Sequence, residues 1–220
     1  MNILFYDSDI IVCEKPAGVI SEGEGENTLP ALLSRRLCES GEANTEVFVV
    51  HRLDKETVGV MVFARNKASA AALSQAIVDG KLEKRYYAVV HGTPSKSADT
   101  LTDLLFFDRK RGKSFVVGRE RAGVKRAVLD YRLVESKNGL SLLDIQLHTG
   151  RTHQIRAQLS SRGLPLAGDR RYGAPKDTPH ALALVAYKLR FPHPKTKKPL
   201  EFTAEIPNSF SVTSLTDKSR

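Results

Sequence analysis

The stretch over residues 47–64, VFVVHRLDKETVGVMVFA, constrains the fold of this chain more than any other. Two apolar runs rich in β-branched residues, 47–50 and 58–64, enclose a short charged segment, and this pattern predicts strand, turn, strand. Charged groups between two core strands are costly to bury unless they are paired. We therefore expect either a solvated hairpin turn or a turn that presents at least one charged side chain to a cleft.

Asp54 is the candidate for a chemical role in this turn. It lies between Arg52 and Lys55, whose positive charges favour the ionised carboxylate. An ionised carboxylate can act as a nucleophile or as a base. This stretch taken alone supports the chemical role and the solvated turn equally.

The composition indicates a globular protein with a basic C-terminal half. With 220 residues, 41% of them hydrophobic, the chain can bury a core as one large α+β domain, and we expect a single domain over residues 1–220. Residues 1–110 carry 13 Lys and Arg against 16 Asp and Glu, whereas residues 111–220 carry 21 against 9. This asymmetry predicts a polyanionic partner, of which nucleic acid is the commonest.

The sequence shows no sign of a membrane segment or a metal site. No apolar run approaches the roughly 20 residues of a transmembrane helix and no signal peptide is visible, so we expect a cytoplasmic protein. Cys13 and Cys38 fall in a predicted strand and a predicted helix without metal-ligand spacing, and we expect buried thiols. A Gly-rich phosphate loop and an HExxH pair are both missing. We therefore expect a monomer without cofactor or metal.

Local patterns predict the remaining elements. Thr28 can cap a helix that ends near Ser40, and Asn66 can cap a helix through Val78 that ends at Gly80. Residues 181–191 fit either a strand or a helix, and the last dozen residues are expected to fray. Strands are predicted at 3–6, 10–14, 85–90, 101–107, 127–134, 140–148 and 200–206.

Two further segments carry side chains suited to a site. The basic residues Arg109, Lys110 and Arg111 belong either to an excursion that contacts a polyanion or to a solvated hairpin. Residues 148–156, HTGRTHQIR, lead into a helix with an apolar side, and polar groups at the start of such a helix indicate a cleft. Arg151 and His153 are therefore candidates for substrate contact.

Four ordered motifs resemble those of the RluA/RsuA-type pseudouridine synthases. HRLDKETVGVMVFARN at 51–66 resembles the central motif, CEKPAG at 13–18 the N-terminal Lys-Pro signature, and EKRYYAVVHG at 83–92 the tyrosine strand. TGRTHQIRAQL at 149–159, with GLPLAGDRRYG at 163–173, resembles the C-terminal signature and favours the RluA branch. The chain departs from the family pattern at Val58, which replaces the usual Ser, and at Gln158 and Val185, where His is common.

The resemblance implies a pseudouridine synthase-like α+β fold. Its features are a mixed, mostly antiparallel sheet, flanking helices and a central catalytic cleft. The implied reaction isomerises specific uridines in rRNA or tRNA: the N1–C1′ bond breaks, the base turns, and C5 joins C1′. Because the motifs begin near residue 13, we expect no S4-like domain ahead of them, so RNA choice would depend on the basic surface of this domain.

By the same resemblance Asp54 is the catalytic carboxylate. A carboxylate beside C1′ can stabilise or capture the positive charge that develops as a glycosidic bond breaks. Attack on C1′, attack on the base and removal of a sugar proton all remain open. Arg156 matches the arginine that pairs with the catalytic aspartate, and its alternative is a surface helix charge.

The resemblance also implies roles in base handling. Tyr86 matches the tyrosine that stacks on the target base; its alternative is a core aromatic, for which Tyr87 is the better candidate. Arg52 matches the residue that enters the space of the flipped-out base, and its alternative is an ion pair with Glu56 or Asp54. Lys15 is a candidate for substrate contact or, together with His51, for a structural role.

Two other functions would use the same residues. An RNA base glycosidase would use the carboxylate without rejoining the base and would release free uracil. A non-catalytic RNA-binding or ribosome-assembly protein would keep only the fold. Such a protein has no physical need to keep Asp54, Tyr86 and Arg156, which argues against it.

Overall fold

The computed structural model describes residues 1–176, 181–206 and 210. Three α-helices, one 3₁₀ helix and eleven strands make up this described part. In chain order they are β1 (Asn2–Tyr6), β2 (Ile10–Lys15), α1 (Leu29–Glu39), β3 (Phe48–Val49), β4 (Val58–Ala64), α2 (Lys67–Val78), β5 (Glu83–His91), β6 (Ala98–Asp108), β7 (Lys113–Val117), β8 (Val124–Lys137), β9 (Leu140–Leu147), α3 (Gln154–Ser160), the 3₁₀ helix (Arg170–Tyr172), β10 (Leu184–Pro192) and β11 (Pro199–Thr203).

The chain divides into two compact units. Residues 1–84 and 186–204 form one, which we call the N-terminal unit. The described residues of 85–185, with those after 204, form the other, which we call the central unit. The single domain predicted over residues 1–220 stays a prediction.

The inner strands of the N-terminal unit do not alternate between buried and exposed side chains, because both of their faces are covered. The strand order is β1-β2-β4-β10, with β3 also paired to β4 and β11 to β10. Nearly every side chain of β2 and β4 is buried, as expected of strands inside a sheet that is covered on two sides. The main apolar cluster comprises Ile10, Val12, Val60, Val62, Ala64, Leu73, Leu82, Leu189 and Phe191.

Both helices of the N-terminal unit begin where the sequence predicts. Thr28 is the N-cap of α1, although its hydroxyl donates to the Gly25 carbonyl rather than capping the helix directly. The Asn66 side chain caps α2 by accepting a hydrogen bond from the Ser69 amide at 2.8 Å. Helix α2 ends at Val78, before Gly80, whose φ of 68° suits a helix C-terminus.

The central unit contains an antiparallel sheet in the order β5-β9-β8-β6-β7. Helix α3 packs on this sheet, because Ala157 lies in one apolar cluster with Leu105 of β6, Ala127 of β8 and Tyr172 of the 3₁₀ helix. The segment 98–117 is a long hairpin, so the basic residues 109–111 lie at its turn. We call residues 109–113, which are this turn and the first residue of β7, the basic hairpin tip.

The predicted α+β fold with a mixed, mostly antiparallel sheet is confirmed, while the catalytic cleft stays a prediction. Residues 184–192 resolve the open choice at 181–191 in favour of a strand, and β11 is shorter than predicted. No helix in the described ranges is long and apolar enough to cross a membrane. The last dozen residues lie outside the described part except for residue 210.

One prediction about the cysteines is wrong. Cys13 is buried in β2, as expected, but Cys38 is exposed. Helix α1 buries Leu29, Leu33 and Leu37 on one stripe. Cys38 follows Leu37 by about 100° of helical rotation, so its side chain is turned away from that stripe.

Candidate active site

The polar turn between β3 and β4 holds Asp54 in a fixed backbone conformation. The Thr57 amide donates to the Asp54 carbonyl at 3.0 Å and closes a four-residue turn. Just before it, the buried Ser21 hydroxyl donates to the Leu53 carbonyl at 2.8 Å and accepts from the Leu53 amide at 3.2 Å. The main chain on both sides of Asp54 is therefore tied, while its side chain is partly exposed.

Lys15 lies beneath this turn, with only 1% of its surface exposed. Its Nζ donates to the carbonyls of Pro16 at 2.9 Å and Lys55 at 2.8 Å, and the Gly18 amide donates to the same Lys55 carbonyl at 2.9 Å. The N-terminal Lys-Pro motif thus binds the residue that follows Asp54. These bonds favour the structural role for Lys15, and its contact with substrate stays a prediction.

Burial lowers the pKa of Lys15 to about 8, because the ammonium group loses much of its hydration. The negative charges of Glu56 and Asp54 act in the opposite direction and favour the charged form. Lys15 therefore supplies the turn with hydrogen bonds and, below about pH 8, with a positive charge near Asp54.

His51 has a structural role, as the sequence suggests. Its Nε2 accepts a hydrogen bond from the Val62 amide at 3.1 Å, beyond the point where β3 stops pairing with β4. Burial and the nearby charge of Lys84 lower the pKa of His51 to about 3. The ring is therefore neutral near pH 7, with its proton on Nδ1.

Arg52 is exposed and forms an ion pair with Glu22, with 2.6 Å between Nη1 and Oε1. The alternative partners expected from the sequence were Glu56 and Asp54, whereas Glu22 belongs to the acidic loop before α1. Ion pairs between exposed groups contribute at most about 1 kcal/mol. The ion pair with Glu22 therefore fixes the position of Arg52 only weakly.

Position 59, in β4 just after the turn, accommodates only glycine. Its φ is 130°, and a Cβ built there would lie 2.2 Å from the Ala186 carbonyl oxygen. Any side chain would force β4 away from β10. The departure from the family pattern at Val58 is one residue earlier, at a partly exposed position.

In the central unit, Arg156 of α3 is buried and forms a bidentate ion pair with Asp169. Its Nε lies 2.6 Å from Oδ2 and its Nη2 lies 2.9 Å from Oδ1. Its guanidinium also lies 5.0 Å from the ring centroid of Tyr172. The alternative of a surface helix charge is therefore excluded, and the predicted pairing with Asp54 stays a prediction.

Sequence analysis assigned no role to Asp169. The signal was present, because Asp169 belongs to the GDRRYG motif that carries the family resemblance. Only the fold reveals its partner, since thirteen residues separate it from Arg156 along the chain.

Tyr86 lies on β5 with 4% of its surface exposed, whereas Tyr87 is partly exposed on the opposite face. The prediction that Tyr87 is the better core candidate is therefore wrong. Strand β5 buries Lys84, Tyr86 and Ala88 on one face, so the alternation leaves Tyr87 on the other. The stacking role of Tyr86 stays a prediction.

The loop before α3 is fixed by its own polar groups. The Gln154 side chain accepts from the Thr149 hydroxyl at 2.7 Å and donates to the Val128 carbonyl at 3.1 Å. His153 has a left-handed backbone, with φ 53° and ψ 29°, and its Nδ1 lies 3.1 Å from the Tyr172 hydroxyl. Arg151 is exposed and its Nε donates to the Arg126 carbonyl at 3.0 Å.

The basic hairpin tip is a shaped turn with exposed cations. Asp108 accepts hydrogen bonds from the amides of Lys110 and Arg111, which is the bonding of an Asx turn. Arg109, Lys110 and Arg111 are all exposed. Arg171 donates to the Gly112 carbonyl at 2.8 Å, which brings a further guanidinium to the same tip.

One group in the described residues could be taken for a metal site. Asp7, Asp9 and His193 place their ligand atoms within 4.8 Å of one another. The His193 Nδ1 accepts from the amides of Lys195 and Thr196, so its Nε2 carries the proton and donates to Asp7 at 2.9 Å. The Nδ1 lone pair of the ring is therefore used within the protein, and the cluster is a structural network.

The lowered pKa of Lys15 predicts a distinctive pH dependence of stability. Between its pKa of about 8 in the folded protein and the ordinary value of 10.5, the unfolded chain binds a proton that the folded protein does not. The Lys15 contribution to the free energy of unfolding should therefore rise with pH across this window. Urea unfolding of wild type and Lys15→Met at about pH 7 and about pH 10 measures it.

The difference in stability between the two proteins isolates Lys15, because every other titrating group is shared. The exposed Lys67→Met variant serves as control and should keep the wild-type pH dependence. Identical pH dependence in wild type and Lys15→Met would show that burying the Lys15 ammonium group does not lower the stability of the folded protein.

Comparison with known proteins places this geometry in a family. The family described as RNA pseudouridylate synthase matches residues 9–161. "Ribosomal large subunit pseudouridine synthase D" of Zymomonas mobilis is 36% identical over 96% of this chain and 71% of that protein. "Uncharacterized RNA pseudouridine synthase YlyB" of Bacillus subtilis is 33% identical over the same shares.

Solved structures agree with the sequence relatives. Human RNA Pseudouridylate Synthase Domain Containing 4 has a TM-score of 0.77 and 26% identity, covering 95% of this chain and 90% of that one. Human RNA Pseudouridylate Synthase Domain Containing 1 has the same TM-score and 25% identity, covering 96% and 86%. The chain belongs to the RNA pseudouridylate synthase family and is an isomerase that acts on uridine in RNA.

Proposed function

We propose that this enzyme isomerises specific uridines of ribosomal RNA, with transfer RNA as the alternative substrate, and that Asp54, Tyr86 and Arg156 carry the reaction. The observation that supports this most is the turn that holds Asp54, since the carbonyl groups of Leu53, Asp54 and Lys55 and the Leu53 amide are all hydrogen-bonded. The name of the Zymomonas relative supports ribosomal RNA. We expect the enzyme to act as a monomer without a metal.

Asp54 supplies negative charge to the bond that breaks. As the N1–C1′ bond cleaves, positive charge develops on the ribose, and a carboxylate held at a fixed position stabilises it without reorganising. Capture of C1′, attack on the base and removal of a sugar proton are all chemically accessible to this group. In each case C5 then bonds to C1′, the C5 proton leaves and N1 gains a proton, so no oxidant or reductant is needed.

Arg156 and Tyr86 prepare the site for that step. The Arg156 guanidinium is fixed by Asp169 and Tyr172, and a fixed cation of this kind keeps a carboxylate ionised and oriented. Tyr86 presents an aromatic ring for stacking on uracil and a hydroxyl for moving the C5 proton. Its position in the middle of β5 makes it a rigid platform.

Arg52 serves base flipping. A uridine in a stacked helix becomes reachable only when it leaves the stack, at a cost of a few kcal/mol. A side chain that enters the vacated space offsets part of this cost. Arg52 suits this role because it is exposed beside the turn that holds Asp54 and its ion pair with Glu22 can be exchanged at low cost.

The basic hairpin tip supplies much of the affinity for RNA. Arg109, Lys110 and Arg111 are exposed there, and Arg171 is bonded to the same tip. Arg151 and Arg126 form a second basic pair in the same unit. Such a surface binds phosphates with little regard to sequence, so it positions the RNA while the uridine pocket selects the base.

The Asp54→Asn substitution tests the central assignment. It keeps the shape of the side chain and removes its charge, so isomerisation should fall below detection while RNA affinity and thermal stability stay close to wild type. The measurement is pseudouridine mapping in total RNA from cells that lack the gene and carry either variant on a plasmid. The neighbouring Glu56→Gln is the matched control and should restore the modification; restoration by Asp54→Asn as well would refute the assignment.

Proton release tests the role of Tyr86 and the reaction class together. RNA carrying tritium at uracil C5 should release label to water in proportion to pseudouridine formed, because C5 must lose its hydrogen to join C1′. Tyr86→Phe should suppress this release more than it weakens binding. A glycosidase would give labelled free uracil instead, and a binding protein would release nothing.

The salt dependence of binding tests the hairpin. Each phosphate contact that is neutralised releases counterions, so affinity should fall steeply as salt rises. Reversing Arg109, Lys110 and Arg111 to Glu should weaken binding. It should also flatten the slope of log affinity against log salt by an amount that corresponds to the loss of up to about three phosphate contacts. The control reverses three exposed cations of the N-terminal unit, Arg35, Lys67 and Lys81; equal flattening in both variants would assign the effect to net charge alone.

A further inference from the structure

Arg156 is held by one short segment of the central unit. Asp169 precedes the 3₁₀ helix and Tyr172 ends it, so the two residues are three positions apart. Because a 3₁₀ helix has three residues per turn, these side chains project in the same direction. The carboxylate of Asp169 therefore binds the edge of the Arg156 guanidinium while the Tyr172 ring lies 5.0 Å from it.

The other end of Tyr172 reaches the basic hairpin. Its hydroxyl accepts a hydrogen bond from the Ser114 amide of β7 at 2.7 Å and lies 3.1 Å from Nδ1 of His153. The Lys113 ammonium lies 4.6 Å from the centroid of the same ring. One buried side chain thus touches both the hairpin that we propose to bind RNA and the arginine that we propose to serve the chemistry.

Two further bonds fasten the hairpin at the same place. The Ser114 hydroxyl donates to the Thr152 carbonyl at 2.5 Å, in the loop that leads into α3. Arg171, next to Tyr172, donates to the Gly112 carbonyl at 2.8 Å. The hairpin tip therefore has little freedom to move without moving the start of α3 or the 3₁₀ helix.

We propose that Tyr172 is a positioning residue that couples RNA contact at the basic hairpin tip to the orientation of Arg156. The proposal rests on the proposed function, which gives the hairpin and Arg156 their roles. The hydroxyl keeps the hairpin in register with α3, so RNA held by the hairpin is presented to Arg156 in one geometry.

A residue that only fills the core would behave differently. Loss of packing lowers stability and affects RNA binding and rate together, whereas loss of positioning lowers the rate at saturating RNA and leaves affinity nearly unchanged. Tyr172→Phe separates these effects, because it keeps the ring and removes only the hydroxyl. A misplacement of about 1 Å can reduce a rate by about a hundredfold.

The experiment measures dissociation constants and single-turnover rates on RNA transcribed without modification, using large-subunit ribosomal RNA as the probe. We expect Tyr172→Phe to bind within about twofold of wild type and to react about tenfold or more slowly at saturating RNA. Neutralising Arg109, Lys110 and Arg111 to Gln should slow the wild-type enzyme at saturating RNA but should not slow the Tyr172→Phe enzyme further. That loss of additivity is the signature of coupling.

Two more variants make the result decisive. Tyr131→Phe is the control, because Tyr131 is also buried in the central unit and its hydroxyl donates to the Lys96 carbonyl at 3.2 Å, away from the hairpin tip. Ser114→Ala removes the bond to Thr152 and leaves every cation in place, so it should show the same split between rate and affinity. If Tyr172→Phe fails to fold, Ser114→Ala decides the question.

The proposal is overturned if Tyr172→Phe reacts at the rate of Tyr131→Phe, or, where Tyr172→Phe does not fold, if Ser114→Ala does. It is also overturned if the rate reductions caused by the hairpin substitutions and by Tyr172→Phe multiply in the combined variant. Failure of the proposed function gives a different result. An Arg156→Lys enzyme that reacts at the wild-type rate would show that Arg156 has no part in the chemistry. An active Asp54→Asn enzyme would show the same for the Asp54 carboxylate. A slow Arg156→Lys enzyme beside a normal Tyr172→Phe enzyme overturns the coupling alone.

Discussion

The Lys55 carbonyl is the acceptor on which the geometry of the candidate site depends most. It receives the Lys15 ammonium and the Gly18 amide, and so joins the end of β2 to the turn that carries Asp54. A carbonyl with two donors is fully satisfied, and a typical hydrogen bond of this kind contributes about 0.5–1.5 kcal/mol to stability, or more when the donor is charged. The turn is therefore rigid because the main chain on either side of it is hydrogen-bonded to it.

In the central unit, an ion pair holds the candidate site residue Arg156 in place. Arg156 is nearly buried, and an unpaired buried guanidinium would be very costly. Asp169 satisfies two of its N–H groups in a bidentate pair, which also fixes the plane of the guanidinium. Breaking such a pair by removing one partner costs about 3–5 kcal/mol, so we expect substitutions of Asp169 to lower stability.

The features that sequence analysis predicted correctly are local ones. The helix starts at Thr28 and Asn66 and most strands follow from patterns within a few residues, whereas the catalytic role that the family motifs assign to Asp54 stays a prediction. What could not be predicted depends on distant contacts: the Lys15 bond spans forty residues, and the Arg156–Asp169 pair thirteen. Cys38 and Tyr87 were misjudged because apolar character does not reveal which side of an element is covered.

The left-handed backbone of His153 limits how this site can change during evolution. Outside glycine, this conformation costs about 1–3 kcal/mol, and asparagine or aspartate are the residues that adopt it most readily. Neither has a ring that could pack edge-on against both Phe107 and Tyr172, as the imidazole does. Position 153 therefore has to satisfy two unrelated demands at once, one on its main chain and one on its side chain. Few single-residue steps lead away from histidine without violating one of them, so we expect this position to drift more slowly than its exposed neighbour Arg151.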